Sequence, residues 1–385
     1  MKRCHSTNHA FSFPYNCFSH RTKMAGGRHV SNGICLEKII LLFVFLMLIV
    51  VSPGYAQLKA IDKIDKKEFF TEEAVIEMTL AADFKKLIRE KLKKDYRRNF
   101  IPATITCIFR DSLKVTETIE IRPRGQYRRE VCNMPPLMVN FKTPNATLLK
   151  KLGRLKLVWP CGIKTMNEQL VLKEYLVYKI YNLLSEKSFR VRLVKMGYRD
   201  INKKMKLQPL YSFFIEDVDD MAKRSNCVEI DSVIIRTEAT NRQQATMVAL
   251  FEYMIGNTDW AIPIYRNVKL MRLKSDSLSL PFVVPYDFDY CGLVNAPYAI
   301  PPPILPITSV TQRLYRGFPR TLNELQASLE IFRRQRQAIN SLIMNFEPLS
   351  KQNKKEMIQY LDDFYAVTEK EKDIRDIFIT NARRE

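Results

Sequence analysis

The sequence predicts an α+β chain in two lobes, β-rich up to residue 216 and mainly helical from residue 217 onward. Three observations predict it. Segments between residues 100 and 216 are rich in β-branched residues and alternate apolar with polar side chains. A single near-continuously apolar helix is embedded among them. Past an acidic connector, Glu216-Asp-Val-Asp-Asp220, the apolar spacing becomes largely helical. With 385 residues, 46% of them hydrophobic, the chain can bury one or two cores, which excludes fibrous and disordered classes.

The elements follow in order. Lys38 precedes an unbroken apolar run from Ile39 to Val51, then Ser-Pro-Gly-Tyr-Ala-Gln. The run has thirteen residues, short of the roughly 20 that span a bilayer. A basic flank, a short apolar core and small residues at Gly54 and Ala56 fit a secretory signal over residues 1–56. Cleavage after Ala56 leaves Gln57 first, and Met24 offers an alternative start with an ordinary short n-region. The alternative is an uncleaved anchor. Either reading puts residues 57–385 outside the cytoplasm, periplasmic or secreted if cleaved, membrane-anchored if not.

Residues 57–99 read as a helical segment, with apolar residues at helical spacing over Ala74–Met78 and Phe84–Leu92. Ala103–Phe109 and Lys114–Ile121 flank a turn signal at Asp111-Ser112 and predict a hairpin. Leu137–Phe141 and Leu155–Trp159 predict two more strands, and Glu168–Leu184 a helix buried between layers. Arg190–Met196 and Leu210–Ile215 are again strands. A helix runs from Asn241 to about Ile255, followed by short strands at Val268–Leu273 and Phe282–Val284. A Pro-rich loop (Pro297, Pro301, Pro302, Pro303, Pro306) leads into helices near 321–345 and 351–379.

Composition narrows the chemistry. All four histidines lie in the first 30 residues, so Ser-His-Asp and Cys-His triads, His-ligated zinc and a His general base are excluded beyond that point. Residues 57–385 carry 56 basic and 40 acidic residues, which favours anionic partners. The charge is dispersed, with no basic block interleaved with aromatics, so no specific nucleic acid is expected. Five cysteines follow residue 57 with no C-x-x-C pair. Cys132 and Cys161, both beside Pro-containing turns, are the best disulfide pair in an oxidising compartment, the alternative being five small buried apolar groups.

One constellation carries chemistry. Gly256-Asn-Thr-Asp259 follows an apolar helix, Asn267 opens a strand, and Val284-Pro-Tyr-Asp287-Phe-Asp289-Tyr-Cys-Gly292 ends another. Three carboxylates and a carboxamide thus fall within 31 residues, on loops flanking a hairpin. Asp287 and Asp289, at i and i+2, share one side of an extended segment. Oxygen ligands of this kind suit Mg²⁺ or Mn²⁺. A further acid can orient a hydroxyl or accept its proton, as phosphoryl transfer requires.

This pattern, N-x-D…N followed by hydrophobic-P-Y-D-x-D-x-x-G, resembles the spore coat protein H family of secreted kinases within the protein-kinase-like superfamily. Arg124-Gly125-Gln-Tyr-Arg128 is similar to that family's R-G-x-S-R turn, and Phe214-Ile-Glu216-Asp-Val-Asp219 to its connector. The likeness covers about residues 100–295. It implies a two-lobed protein-kinase-like fold and a phosphotransferase that moves phosphate from a Mg- or Mn-nucleotide, ATP, to a hydroxyl acceptor. By the resemblance Asp259 is the catalytic acid, Asn267 and Asp287 hold the metal, and Asp289 is a further ligand. Arg124 approaches the phosphates, and Glu216 marks the hinge where adenine sits.

The chain departs from the family where a Pro-Lys-Lys segment is usual, having Met134-Pro-Pro-Leu137 instead. Lys156, on the strand before the long helix, is the better substitute for the phosphate lysine, ahead of Lys142, and Glu174 on that helix is its expected partner, with Glu168 the rival. Residues 57–385 hold seven glycines and no G-x-G-x-x-G. Two alternatives stay open. One is an inactive kinase-like module that binds a partner, nucleotide or envelope component. The other is a metal-dependent hydrolase or nuclease on the same carboxylates. The acceptor is unknown, a membrane is a partner only if the signal is uncleaved, and a monomer is expected.

Overall fold

Strand-by-strand alternation closes into a barrel. The computed structural model describes residues 64–109, 113–162, 164–202, 206–231 and 234–383. The apolar run at 39–51, Met24, the cleavage site at Ala56 and the turn at Asp111-Ser112 lie outside the described residues. Helix α1 (Lys66–Thr71) is capped by Asp65, whose carboxylate accepts from the Lys67 N–H at 2.7 Å. Strand β1 (Ile76–Ala82) buries Ile76, Met78 and Leu80. Helix α2 (Phe84–Glu90) is capped by Asp83, which accepts from the Lys86 N–H. Strands β2 (Ile101–Ile108) and β3 (Lys114–Pro123) form an antiparallel hairpin with Ile105 opposite Glu117. Short helix α3 (Tyr127–Val131), strand β4 (Leu137–Asn140) and strand β5 (Arg154–Val158) follow. Then come helix α4 (Thr165–Leu184) and strands β6 (Val191–Asp200) and β7 (Lys206–Ile215).

The order around the barrel is β1-β2-β3-β4-β5-β7-β6, and it closes because β6 pairs with β1 in parallel, Val194 opposite Ile76. The other neighbouring pairs are antiparallel. Leu80, Ile105, Ile119, Val139, Leu155, Met196 and Phe214 fill its interior.

The remainder is mixed. Helix α5 (Val218–Arg224), strand β8 (Cys227–Ile230), helix α6 (Arg242–Ile255), strand β9 (Val268–Leu273) and strand β10 (Phe282–Pro285) precede three helices. These are α7 (Leu322–Met344), α8 (Lys351–Thr368) and α9 (Glu371–Arg375). The strands form a three-stranded sheet in the order β10-β9-β8. This sheet, α4, α6, α7 and α8 share a second buried cluster that includes Leu176, Leu250, Val284, Phe332 and Leu361. Thr321 and Glu324 cap α7 reciprocally.

Two expectations are corrected. The two-lobed protein-kinase-like fold, a β-rich first lobe with a mainly helical second, does not hold: the chain has a closed seven-stranded barrel and a mixed α/β remainder. The segment 57–99 is not simply helical, because β1 runs through it and supplies the closing strand. Its apolar residues at 76, 78 and 80 have period two, which seats them on one face of a strand.

Cys132 and Cys161 are disulfide-bonded, with their Cα atoms 4.8 Å apart. Cys107, Cys227 and Cys291 are free and buried. The bond closes a loop of 29 residues. By chain entropy it should contribute about 3–4 kcal/mol, so Cys132→Ser should lower the unfolding free energy by about that much in urea titration. No helix among the described residues is long and apolar enough to cross a membrane.

Candidate functional site

Two loops are pinned to each other before any side chain is considered. Helix α6 ends at Gly256, in the left-handed conformation with φ 68°. The Gly292 N–H donates to the Gly256 carbonyl at 3.1 Å, and the Leu293 N–H to that of Ile255 at 3.0 Å. A Cβ at either glycine would collide with the Tyr360 hydroxyl, so the close approach requires glycine. Just beyond Gly256, the Asn257 side chain accepts from the Asp259 N–H at 2.9 Å and fixes a turn.

The β9–β10 hairpin supplies the other two groups. Pro285 pairs with Val268, so Asn267 and Tyr286 meet just past the ladder, where the Tyr286 N–H donates to the Asn267 carbonyl at 3.0 Å. Asn267 and Asp287 both adopt left-handed backbone, with φ 52° and 67°. Asn and Asp tolerate that conformation best among non-glycine residues. The Asp287 N–H donates to the Tyr178 hydroxyl of α4 at 2.8 Å. Asp287 is therefore not in the extended segment expected for the Asp287–Asp289 pair, although both acids line the same cavity.

That cavity has a volume of about 440 Å³. It gathers Arg124, Asp259, Asn267, Asp287 and Asp289, together with Arg128 and Arg266. Asp259 is ion-paired with Arg266, and its Oδ2 accepts from Asn267 Nδ2 at 2.9 Å. Asn267 Nδ2 also donates to the Asp259 carbonyl at 2.7 Å, which leaves Asn267 Oδ1 as an acceptor. Asp289 is buried and accepts from the Tyr298 hydroxyl at 2.9 Å.

The other expected residues lie elsewhere. Lys156 is not among the residues lining this cavity; its ammonium sits 4.9 Å from the centre of the Tyr286 ring. Burial, then the charge of Arg124, pushes the Lys156 pKa down to about 8, with Asp287 pulling the other way. Glu174 lines a small adjoining void with Arg128, Asp289 and Tyr298. Glu216 borders a separate cavity, where Arg224 holds it at 2.9 Å and the Arg190 N–H donates to it at 3.0 Å. The structure does not bring Glu216 to the carboxylate cavity.

The expected Lys156–Glu174 pair does not form. Glu174 pairs with Arg128 at 3.4 Å instead. Arg128 also stands 3.9 Å from Asp289, and its Nη2 donates to the Trp159 carbonyl at 2.5 Å. The physical reason is the disulfide. It ties Cys132, at the end of α3, to Cys161, two residues past Trp159, and so holds Arg128 between the two acids. Arg128, Arg266, Tyr178 and Tyr298 are site residues that sequence reasoning passed over. The second arginine of the Arg124–Arg128 turn and the residue before Asn267 were the available signals.

The electrostatics follow from burial. Asp289 is pushed up to about 6, first by burial and then by the charge of Asp287, with Arg128 and Tyr298 opposing. Glu174 is raised well above the usual carboxylate range, by burial and then by Asp289. Asp259 is raised by burial, against the pull of Arg266.

The oxygen donors that a divalent ion would need are Asn267, Asp287 and Asp289. The Asp287 carboxylate makes no hydrogen bond or ion pair among the described residues, and Asn267, which lines the same cavity, keeps Oδ1 free of hydrogen bonds. Among the described residues there is no group of three or more His, Cys, Asp or Glu side chains that could hold a metal. The available set is the carboxamide with the two carboxylates, all oxygen donors. Arg124, Arg128 and Arg266 line the same cavity, Arg128 held by Glu174 and Asp289 and Arg266 by Asp259.

Behind the site, Glu252 of α6 is buried, and its carboxyl oxygens have no hydrogen-bond partner among the described residues. Burial raises its pKa to about 8. A folded-state pKa above the unfolded one means this group's contribution is lost as pH rises through about 8. This group should therefore cost the protein stability progressively between about pH 4.5 and 8, and no further above that. Glu252→Gln should flatten that loss, as read by melting temperature against pH.

No family model matches the chain, and no curated protein matches it.

Proposed function

We propose that this protein is an extracytoplasmic phosphotransferase that moves phosphate from a Mg- or Mn-nucleotide to a hydroxyl acceptor. The observation that carries the reading is the convergence of Asp259, Asn267, Asp287 and Asp289 with three arginines on one cavity. Folding gives no reason to gather acids, since turns form equally well with the carboxylates outward. The sequence resemblance to secreted kinases supports the same chemistry. The disulfide and the signal-like N-terminus support an oxidising compartment.

In this reading Asn267 and Asp287 would hold the metal, with Asp289 lining the same cavity. A bound divalent ion supplies charge neutralisation on the phosphate oxygens. Arg124 and Arg128 face those oxygens, and Lys156 is the nearby lysine, its lowered pKa keeping it easily neutralised. Asp259 orients the acceptor hydroxyl and takes its proton, with Arg266 holding the carboxylate in place beforehand. Burial raises the Asp259 pKa, which makes it a better base once ionised.

A second reading is an inactive module that binds a nucleotide or envelope component. The Asp259–Arg266 ion pair and the missing Lys156–Glu174 pair favour it. The two readings part on one experiment. After incubation with Mn²⁺, ATP and a mixture of hydroxyl-bearing envelope components, mass spectrometry should detect added phosphate on the protein or a component. Nucleotide binding without any added phosphate selects the inactive module.

A further inference from the structure

Two cavities of about 610 and 670 Å³ open where α1, the C-terminal end of α4, the start of β6 and α5 meet. Phe70, Arg190 and Arg224 line both, so they form one continuous groove. The groove shares no lining residue with the carboxylate cavity. Seven Lys and Arg side chains line it against four carboxylates.

Pairing does not consume this charge. Lys66 is paired with Asp220, Arg224 with Glu216 and Lys179 with Glu73. The charged groups of Lys67, Arg190 and Lys223 make no hydrogen bond or ion pair among the described residues. Arg190 carries the argument. Its backbone is fixed, the N–H donating to Glu216 at 3.0 Å and the carbonyl accepting from the Glu216 N–H at 2.9 Å. Arg190 is half-buried; burial and neighbouring Arg224 work against its charge, while the Glu216 carboxylate favours it. Arg190 and Arg224 share the single Glu216 carboxylate, so a further oxyanion beside Arg190 would offset charge that this one acid leaves over.

At about 610 and 670 Å³ the two cavities offer far more space than one small ion fills, and both carry cationic side chains. Thr71, Ser185, Ser225 and Asn226 add hydroxyl and amide groups to the lining. Phe70, the aromatic ring in the lining, is buried, so there is no platform on which bases stack. We propose that this groove binds an anionic polysaccharide, with Arg190 as its central oxyanion contact.

The test uses the full chain and fluorescein-labelled dextran sulfate, with neutral dextran as control. Binding read by fluorescence anisotropy should appear with the sulfated polymer alone and weaken with salt. Arg190→Gln should weaken it about tenfold or more. Lys67→Gln/Lys223→Gln removes two exposed charges that nothing in the fold depends on, and should weaken it several-fold. Lys351→Gln/Lys355→Gln, on exposed positions of α8, should leave it unchanged. Three outcomes would overturn the proposal. One is unchanged binding by folded Arg190→Gln. Another is an equal loss in the α8 control. The third is displacement by polyglutamate, a single-stranded oligonucleotide or inorganic sulfate, at matched charge, as effective as by unlabelled dextran sulfate.

Discussion

Asp259→Ala should lower phosphoryl transfer by about 10²–10⁴-fold while leaving Mn-ATP affinity within a few-fold of the parent. The split follows from geometry. Asp259 contributes its carboxylate to Arg266 and Asn267, whereas in the proposed reading the metal would be held by Asn267 Oδ1 and Asp287. Removing the Asp259 side chain leaves the bond from Asn267 Nδ2 to the Asp259 carbonyl, so Asn267 keeps its place. Arg266 loses its partner, but it is 56% exposed and water takes over at little cost. Single-turnover transfer and nucleotide titration on the same variant give the two readouts. An equal fall in affinity and rate would assign Asp259 to binding instead.

The largest effect on stability should come from Arg128→Leu. Arg128 stands between two buried carboxylates, Glu174 at 3.4 Å and Asp289 at 3.9 Å, and also donates to the Trp159 carbonyl. Its loss leaves those acids without their cation, and such changes cost about 3–5 kcal/mol. The cost should shrink with acidity. The Asp289 pKa near 6 means that at pH 5 most of that carboxyl is protonated and no longer needs a counter-charge. Urea unfolding at pH 7.5 and at pH 5 checks both statements. Arg128→Leu/Glu174→Leu should recover part of the loss, because it removes one of the buried carboxyls left without a partner.

The barrel was only partly legible in the sequence. β2, β3, β4 and β5 announce themselves by β-branched alternation and turns. β1 does not, because Ala74, Ile76 and Met78 lie next to a run, Phe84–Leu92, that really is helical at its start. Closure depends on parallel pairing of β1 with β6, more than 100 residues apart, and no local pattern encodes that. The β-rich lobe expected from residues 100–216 lacked β1, the strand that closes the sheet into a barrel.

The site shows the same division. Asp259, Asn267, Asp287 and Asp289 were legible because they fall within one helix–hairpin unit whose loops face each other by register. The Arg128–Glu174 pair spans 46 residues and forms beside the disulfide that joins the end of α3 to the segment past Trp159, a pairing no local pattern encodes. Lys156 was placed correctly on a strand, but its side chain turns to Tyr286.

The central claim is that Asp287 and Asn267 hold a divalent ion carrying a nucleotide. Asp287→Asn tests it most cleanly, because Asn sustains the left-handed backbone at φ 67° while removing the charge. Without metal the variant should be as stable as the parent or slightly more so, since Asp287 raises the pKa of Asp289, Glu174 and Asp259 by repulsion. The deciding measurement is a Mn²⁺ titration followed by electron paramagnetic resonance, with and without ATP, on the parent and on Asp287→Asn. The account predicts ATP-dependent Mn²⁺ binding by the parent and its loss in the variant. Binding of equal strength in both, or none in the parent, would contradict it.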